Sequence, residues 1–236
     1  GEKGIEDAII SVPASILAKE ADASFREQSS ANIEKGKCKT ILYVGNDYLC
    51  LETGEYEIQE DGSSKCINRT LSTIPIYNTK ISKGLKLSDL TGINGSIAIQ
   101  EAIADIINSG NVESINNKAK VSWDDTNFAL YRKTGHWFFK GRLNFDDGSS
   151  LSYLDYNINL IPPSDMVAYD ILQIPWNKIK EAVPEADDAY TSPNRNMAVL
   201  LSENKVYVYR IIDGALAENP EQEFTIPLGS SVIMAE

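Results

Sequence analysis

Histidine is almost missing from this chain: His136 is the one imidazole in 236 residues. No Gly-x-Ser-x-Gly turn and no His-Glu-x-x-His run accompanies it, so neither a nucleophile elbow nor a zinc-protease helix is encoded. At the head of an aromatic stretch, His136 reads as a strand-end polar residue. Cysteine is scarce too. Cys38, Cys50 and Cys66 lie in the first third with no Cys-x-x-Cys spacing, which removes a thiolate zinc site. The expectation is no metal and no cofactor, because a glycine-rich phosphate loop is lacking as well. Long apolar runs are absent: nothing approaches the ~18 residues of a membrane-spanning helix. Basic charge is in short supply, with 22 Lys and Arg against 34 Asp and Glu and a net charge of −12. Such a surface repels phosphate backbones and anionic lipid, so nucleic acid is not an expected partner.

What is present is an ordinary globular composition, 42% hydrophobic and 24% charged, enough to bury a core as one large domain or two small ones. Residues 1–36 form a polar N-terminal segment with a short helix from Ile16 to about Gln28. From Cys38 the apolar period changes to two. Lys39–Val44 and Tyr48–Glu52 flank Gly45-Asn46, Glu55–Gln59 follows Thr53-Gly54, and Lys65–Leu71 follows Asp61-Gly62. These dipeptides suit tight hairpin turns, so the stretch predicts a four-strand meander. In that meander Cys50 and Cys66 flank Glu57 from both sides, about 9–10 Å apart at ~4.8 Å per strand, too far for a disulfide. No disulfide is expected.

Leu85–Leu90 leads into one clear amphipathic helix, Ser96 to about Ser109, with Ile99, Ala102, Ile103, Ile106 and Ile107 on one stripe. Asn94 or Ser96 can cap its start and Gly110 its end. The Asn- and Ser-rich stretch 108–118 marks a boundary, giving a meander-plus-helix region over 37–118 and a mainly β region with a short helix over 119–236. In the latter, Met166–Ile174 reads as a strand, Pro175 opens a helix from Trp176 to about Ala182, and Glu203-Asn204 joins Met197–Leu201 to Lys205–Ile212. That turn pairs Leu201 with Val206 and Leu200 with Tyr207. Both faces of this hairpin are apolar, which argues for a central, doubly covered position. Glu223–Ile226 and Ser231–Met234 close the chain. The class is α+β, mainly antiparallel β, built of meanders and hairpins with one clear helix and one or two short ones.

Asp147-Gly148 predicts a two-residue turn between Trp137–Phe145 and Ser149–Ile158. It sets Phe145 opposite Ser150, Arg142 opposite Tyr153, Lys140 opposite Asp155 and Phe139 opposite Tyr156. Trp137, Phe139, Leu143, Phe145, Leu154, Tyr156 and Ile158 then share the core face. Phe138, Lys140, Arg142, Asn144, Tyr153, Asp155 and Asn157 share the solvent face, and Arg142 can lie over Tyr153. Phe138, Arg142, Tyr153 and Asp155 are the candidate ligand-binding residues. Carboxylate doublets (Asp124-Asp125, Asp146-Asp147, Asp187-Asp188) are the one catalytic ingredient in supply, and glycosidase chemistry needs such groups across a cleft.

The polar start, the Tyr-rich strands with Thr-Gly and Asp-Gly turns, Leu85-Lys-Leu-Ser-Asp-Leu90 before the helix, and the stretch from Trp176 to Pro193 give a layout that resembles ectodomains of exported lipoproteins of Gram-positive bacteria. The resemblance implies an extracytoplasmic protein, membrane-anchored through an N-terminal leader removed from the sequence, which begins at Gly1 with no signal peptide; a cytoplasmic home is the alternative. The functional expectation is a non-catalytic binding or sensing protein whose partner is a small molecule, a glycan or a protein. The alternatives are a carboxylate-dependent hydrolase acting on carbohydrate and a structural or interaction module.

Overall fold

A computed structural model describes residues 35–59, 64–78, 83–109, 120–122, 124–146, 151–167 and 171–233. The architecture is α+β and mainly antiparallel β. The chain divides into a larger unit, residues 37–55 with 66–236, and a smaller one, residues 1–36 with 56–65, whose described part is extended chain at strand ends. The helix expected at 16–28 lies outside the described residues.

The meander has three strands rather than four: β1 (Lys35–Val44), β2 (Tyr48–Ile58) and β3 (Ser64–Pro75), in the order β1-β2-β3. Thr53-Gly54 is no turn, because β2 runs straight through it. Glu52 is held by Arg69 and Arg142, and Glu55 by Lys37, so the backbone between these anchors stays extended. The β1–β2 turn centres on Asn46-Asp47, one residue later than the dipeptide Gly45-Asn46, and the Gly45 N–H donates to the Tyr48 carbonyl at 2.9 Å. Gly45 is needed for space: a Cβ there would meet the Tyr43 ring at 2.3–2.9 Å.

A one-turn helix α1 (Leu87–Thr91) precedes α2 (Ile93–Asn108), which starts three residues before the expected Ser96. Gly92 at φ +65° separates the two helices, and α2 has no side-chain cap from Asn94 or Ser96. Its stripe buries Ala98, Ile99 and Ile103.

The second sheet contains β4 (Lys120–Ser122), β5 (Phe128–Lys133), β6 (His136–Asp146) and β7 (Leu151–Ile158). β4 and β5 pair with opposite ends of β6 along one edge, and β7 covers the other edge. Thr134 (φ 53°) and Gly135 (φ 86°) make the tight β5–β6 turn, the conformation that two-residue hairpins demand. Residues 43–167 share one buried cluster that includes Leu71, Ile99, Phe128, Leu130, Phe139, Leu143 and Ile158. The expected boundary stretch 110–118 lies outside the described residues, while residues on both sides of it enter this cluster.

Met166–Ile174 does not form the expected strand: Pro163 starts a turn in which its carbonyl takes the N–H groups of Met166 and Val167. Helix α3 (Trp176–Ala182) follows Pro175 as the proline pattern predicts. Then β8 (Asp188–Thr191), β9 (Met197–Leu201), β10 (Lys205–Ile212), β11 (Ala215–Leu216) and β12 (Gln222–Thr225) form the third sheet. Its β9–β10 register pairs Leu201 with Val206 and Leu200 with Tyr207, as the turn chemistry requires. β9 and β10 are central, but only one face is closed: Ala198, Leu200, Tyr207 and Tyr209 are buried with Ile174 and Ile179, whereas the alternate residues are half-buried or exposed. Residues 231–233 are not a strand, although the Ile233 carbonyl accepts the Val44 N–H on β1.

Candidate functional site

The β6–β7 register is shifted by two residues from the expected one. Arg142 stands opposite Asp155, Lys140 opposite Asn157, Asn144 opposite Tyr153 and Phe139 opposite Ile158. A shift of two preserves which residues share a face, because side chains alternate with period two. Trp137, Phe139, Leu143, Phe145, Tyr156 and Ile158 are accordingly buried, with Leu154 packed against them. The physical reason for the shift is the charge pairing. It sets Arg142 and Asp155 directly across from each other, where Nε and Nη2 of the arginine donate to the two carboxylate oxygens at 2.6 and 2.9 Å. The Asp147-Gly148 turn lies outside the described residues, and the ladder leaves four residues, 147–150, to close the hairpin.

This pairing changes the role of Arg142. It is 3% exposed, contrary to its expected place on a solvent face. Its Nη1 donates to Glu52 at 2.9 Å, and its guanidinium lies 4.0 Å from the Tyr153 ring centre. Arg69 bonds the same Glu52 oxygen at 2.8 Å and donates to the Tyr153 hydroxyl at 3.1 Å. Lys140 reaches diagonally to Asp155 at 3.4 Å. Burial alone would raise the Asp155 carboxyl, but the Arg142 bonds and the Lys140 charge outweigh it and hold the group below its ordinary range. The same two carboxylates overcome burial on Arg142 and raise it. Arg142 and Asp155 thus satisfy each other and brace β6, β7 and β2.

The rings around them stay accessible. Phe138 is 37% and Tyr153 41% exposed. Tyr131 stands directly across from Phe138 on β5, and the two rings lie 5.7 Å apart at an angle of 35°. The Tyr131 hydroxyl donates to Asn157 at 2.7 Å, and the Lys140 ammonium sits 5.1 Å from the Tyr131 ring centre. Phe138 and Tyr153 thus belong to one aromatic face, while Arg142 and Asp155 form the brace beneath it.

A separate concavity of about 690 Å³ opens where β1–β3 meet the loop before β5. Leu51, Thr53 and Glu55 line it from the side of β2 opposite Glu52. Asn127 closes its base by accepting the Leu71 N–H at 2.7 Å and donating to the Arg142 carbonyl at 2.8 Å.

The remaining candidates are accounted for by local structure. Asp124 is brought down to about 2: burial opposes this, but the Thr126 N–H and hydroxyl and the Lys83 ammonium prevail. Its neighbour Asp125 pairs with Lys86 at 3.3 Å. Asp188 bonds Arg132 at 3.0 Å and the Gly135 N–H at 2.6 Å, tying β8 to the β5–β6 turn. The three cysteines are unpaired thiols. Cys50, fully buried, contacts the Thr73 hydroxyl at 3.2 Å and accepts the Leu130 N–H, and burial pushes its thiol up to about 11. His136 is exposed at the start of β6. Among the described residues there is no group of three metal-ligating side chains, and no helix is long and apolar enough to cross a membrane.

Comparison of the chain with family models, with curated proteins and with solved structures finds no match. The site therefore stands on its own geometry. Sequence reasoning missed Tyr131, Glu52 and Arg69. Tyr131 could have been found from Thr134-Gly135, whose turn dictates the Tyr131–Phe138 pair; Glu52 and Arg69 come from another sheet, and no local signal places them.

Proposed function

We propose that this protein is a non-catalytic binding or sensing protein acting outside the cytoplasm, and that the aromatic face of β5–β7 takes a glycan chain. The observation that carries the reading is the outward Tyr131–Phe138 pair, two rings tilted only 35° from each other and presented by adjacent strands. Aromatic faces stack on the apolar faces of sugar rings while neighbouring polar groups take the hydroxyls. Tyr153, opposite Asn144, lies six residues further along β6 than Phe138, about 20 Å at ~3.3 Å per residue. Lys140 and Asn157 lie along this span. That length suits a linear oligosaccharide better than a monosaccharide. The extracytoplasmic setting is supported by the resemblance to exported lipoproteins. The test is calorimetric titration with chitohexaose, cellohexaose and xylohexaose. At least one should bind, and Phe138→Ala and Tyr153→Ala should each weaken it about tenfold while the melting temperature stays within a few degrees. Binding indifferent to both substitutions, or no binding to any of the three, would overturn the reading.

A further inference from the structure

The concavity beside β1–β3 holds a chemical vacancy that the folded chain does not fill. The Asn144 side-chain oxygen is buried and has no hydrogen-bond partner among the described residues. A buried acceptor left without a donor costs about 1–3 kcal/mol, so native proteins fill such positions with a donor. The other polar groups at the base cannot serve: Asn127 is committed through both ends of its amide, and the Thr126 hydroxyl donates to Asp124 at 2.8 Å. The donor must come from outside.

The rim adds a sign. In a chain of net charge −12, three of the residues lining this concavity are lysines, Lys37, Lys39 and Lys83, against two carboxylates, Glu55 and Asp124. Lys37 is paired with Glu55 at 2.5 Å and Lys83 with Asp124 at 3.1 Å, which leaves the charge of Lys39 in excess. Between base and rim lie the hydroxyls of Thr53, Thr70 and Ser72. An occupant must therefore donate a hydrogen bond at one end, carry negative charge at the other and be rich in hydroxyls between.

We propose that this concavity binds a small hydroxylated carboxylate of the sugar-acid class, its hydroxyl donating to Asn144 and its carboxylate meeting Lys39. The site is distinct from the aromatic face. It lies on the opposite side of β2 from Glu52, and its charge excess and polar lining select a compact anion rather than a neutral polymer.

The test is titration calorimetry at low salt with D-glucuronate and D-galacturonate, compared with D-glucose, D-galactose and acetate. At least one sugar acid should bind tenfold or more tightly than both its neutral counterpart and acetate. Asn144→Leu should weaken it at least tenfold while melting no lower than the wild type, since it removes an orphaned acceptor. Lys39→Gln should erase the preference for the acid over the neutral sugar. Phe138→Ala should leave this binding unchanged, which separates its failure from failure of the glycan reading. Equal affinity for acetate, equal affinity for the neutral sugars, or undiminished binding to Asn144→Leu would each overturn the proposal; so would no binding of either sugar acid, in which case water alone satisfies Asn144.

Discussion

The sheet β4–β7 and the sheet β8–β12 are both antiparallel and both cover an apolar cluster, yet they treat charge in opposite ways. In the first, a guanidinium with 3% of its side chain exposed is clamped between Asp155 and Glu52. In the second, the ion pairs Arg210–Glu221 and Lys205–Glu223 lie on the strand surfaces with every partner at least 40% exposed. The contrast extends to register. The β9–β10 ladder follows from its two-residue turn and from apolar alternation alone, because no buried charge competes there. The β6–β7 ladder departs from the turn-based expectation by two residues, because that shift aligns Arg142 with Asp155 and gives two charge-assisted hydrogen bonds. Where a charge must be buried, its partner decides the register; where none is buried, the turn does.

Removing the clamp is the most severe way to break this contrast. Arg142→Met strands Glu52 and Asp155 in a partly dehydrated site and should cost about 3–5 kcal/mol in urea denaturation. A loss below about 1 kcal/mol would place Arg142 among the surface pairs. Packing offers the next largest effect. Gly141 stands opposite Tyr156, whose ring would lie 2.3–2.7 Å from an added Cβ, so Gly141→Ala should destabilise by about 2 kcal/mol. An unchanged urea midpoint would mean that the ring moves aside freely.

Acid distinguishes the sheets more gently. The folded-state carboxyl of Asp155 is held below its unfolded value, so its contribution is complete above about pH 4–5 and is lost as pH falls through the folded value. Wild-type urea midpoints should therefore drop between pH 5 and pH 3, and Asp155→Asn should flatten that limb. Parallel curves for the two proteins would contradict it. The smallest effect belongs to the third sheet: Arg210→Gln should change stability by less than about 1 kcal/mol, and by less still in 0.5 M salt, as exposed pairs do. A loss comparable with that of Arg142→Met would erase the contrast.

How much was legible in the sequence follows from the same physics. The class, the amphipathic helix, α3 after Pro175 and the Glu203-Asn204 hairpin were legible because each depends on neighbours a few residues away. The face assignment of β6 and β7 was legible as well, since alternation survives a shift of two. Thr53-Gly54 was misread as a turn while Thr134-Gly135 is one. The dipeptides are identical; positive φ at both residues distinguishes the true turn, and long-range anchors at Glu52 and Glu55 keep the other extended. Phe138 and Tyr153 were legible as exposed aromatics. The burial of Arg142 was not, because Glu52 lies 90 residues away in sequence.

The pairing of β6 with β7 can be read directly by cross-linking. In a background with Cys38 and Cys66 replaced by serine, Lys140→Cys with Asn157→Cys places two thiols directly opposite each other, whereas Lys140→Cys with Asp155→Cys places them opposite only if a two-residue Asp147-Gly148 turn sets the ladder. The clamp-determined register predicts rapid intramolecular disulfide formation in the first pair and little in the second, followed by mass spectrometry under mild oxidation. Preferential oxidation of the second pair would contradict it, and with it the assignment of Arg142 as a buried brace rather than a ligand-binding residue.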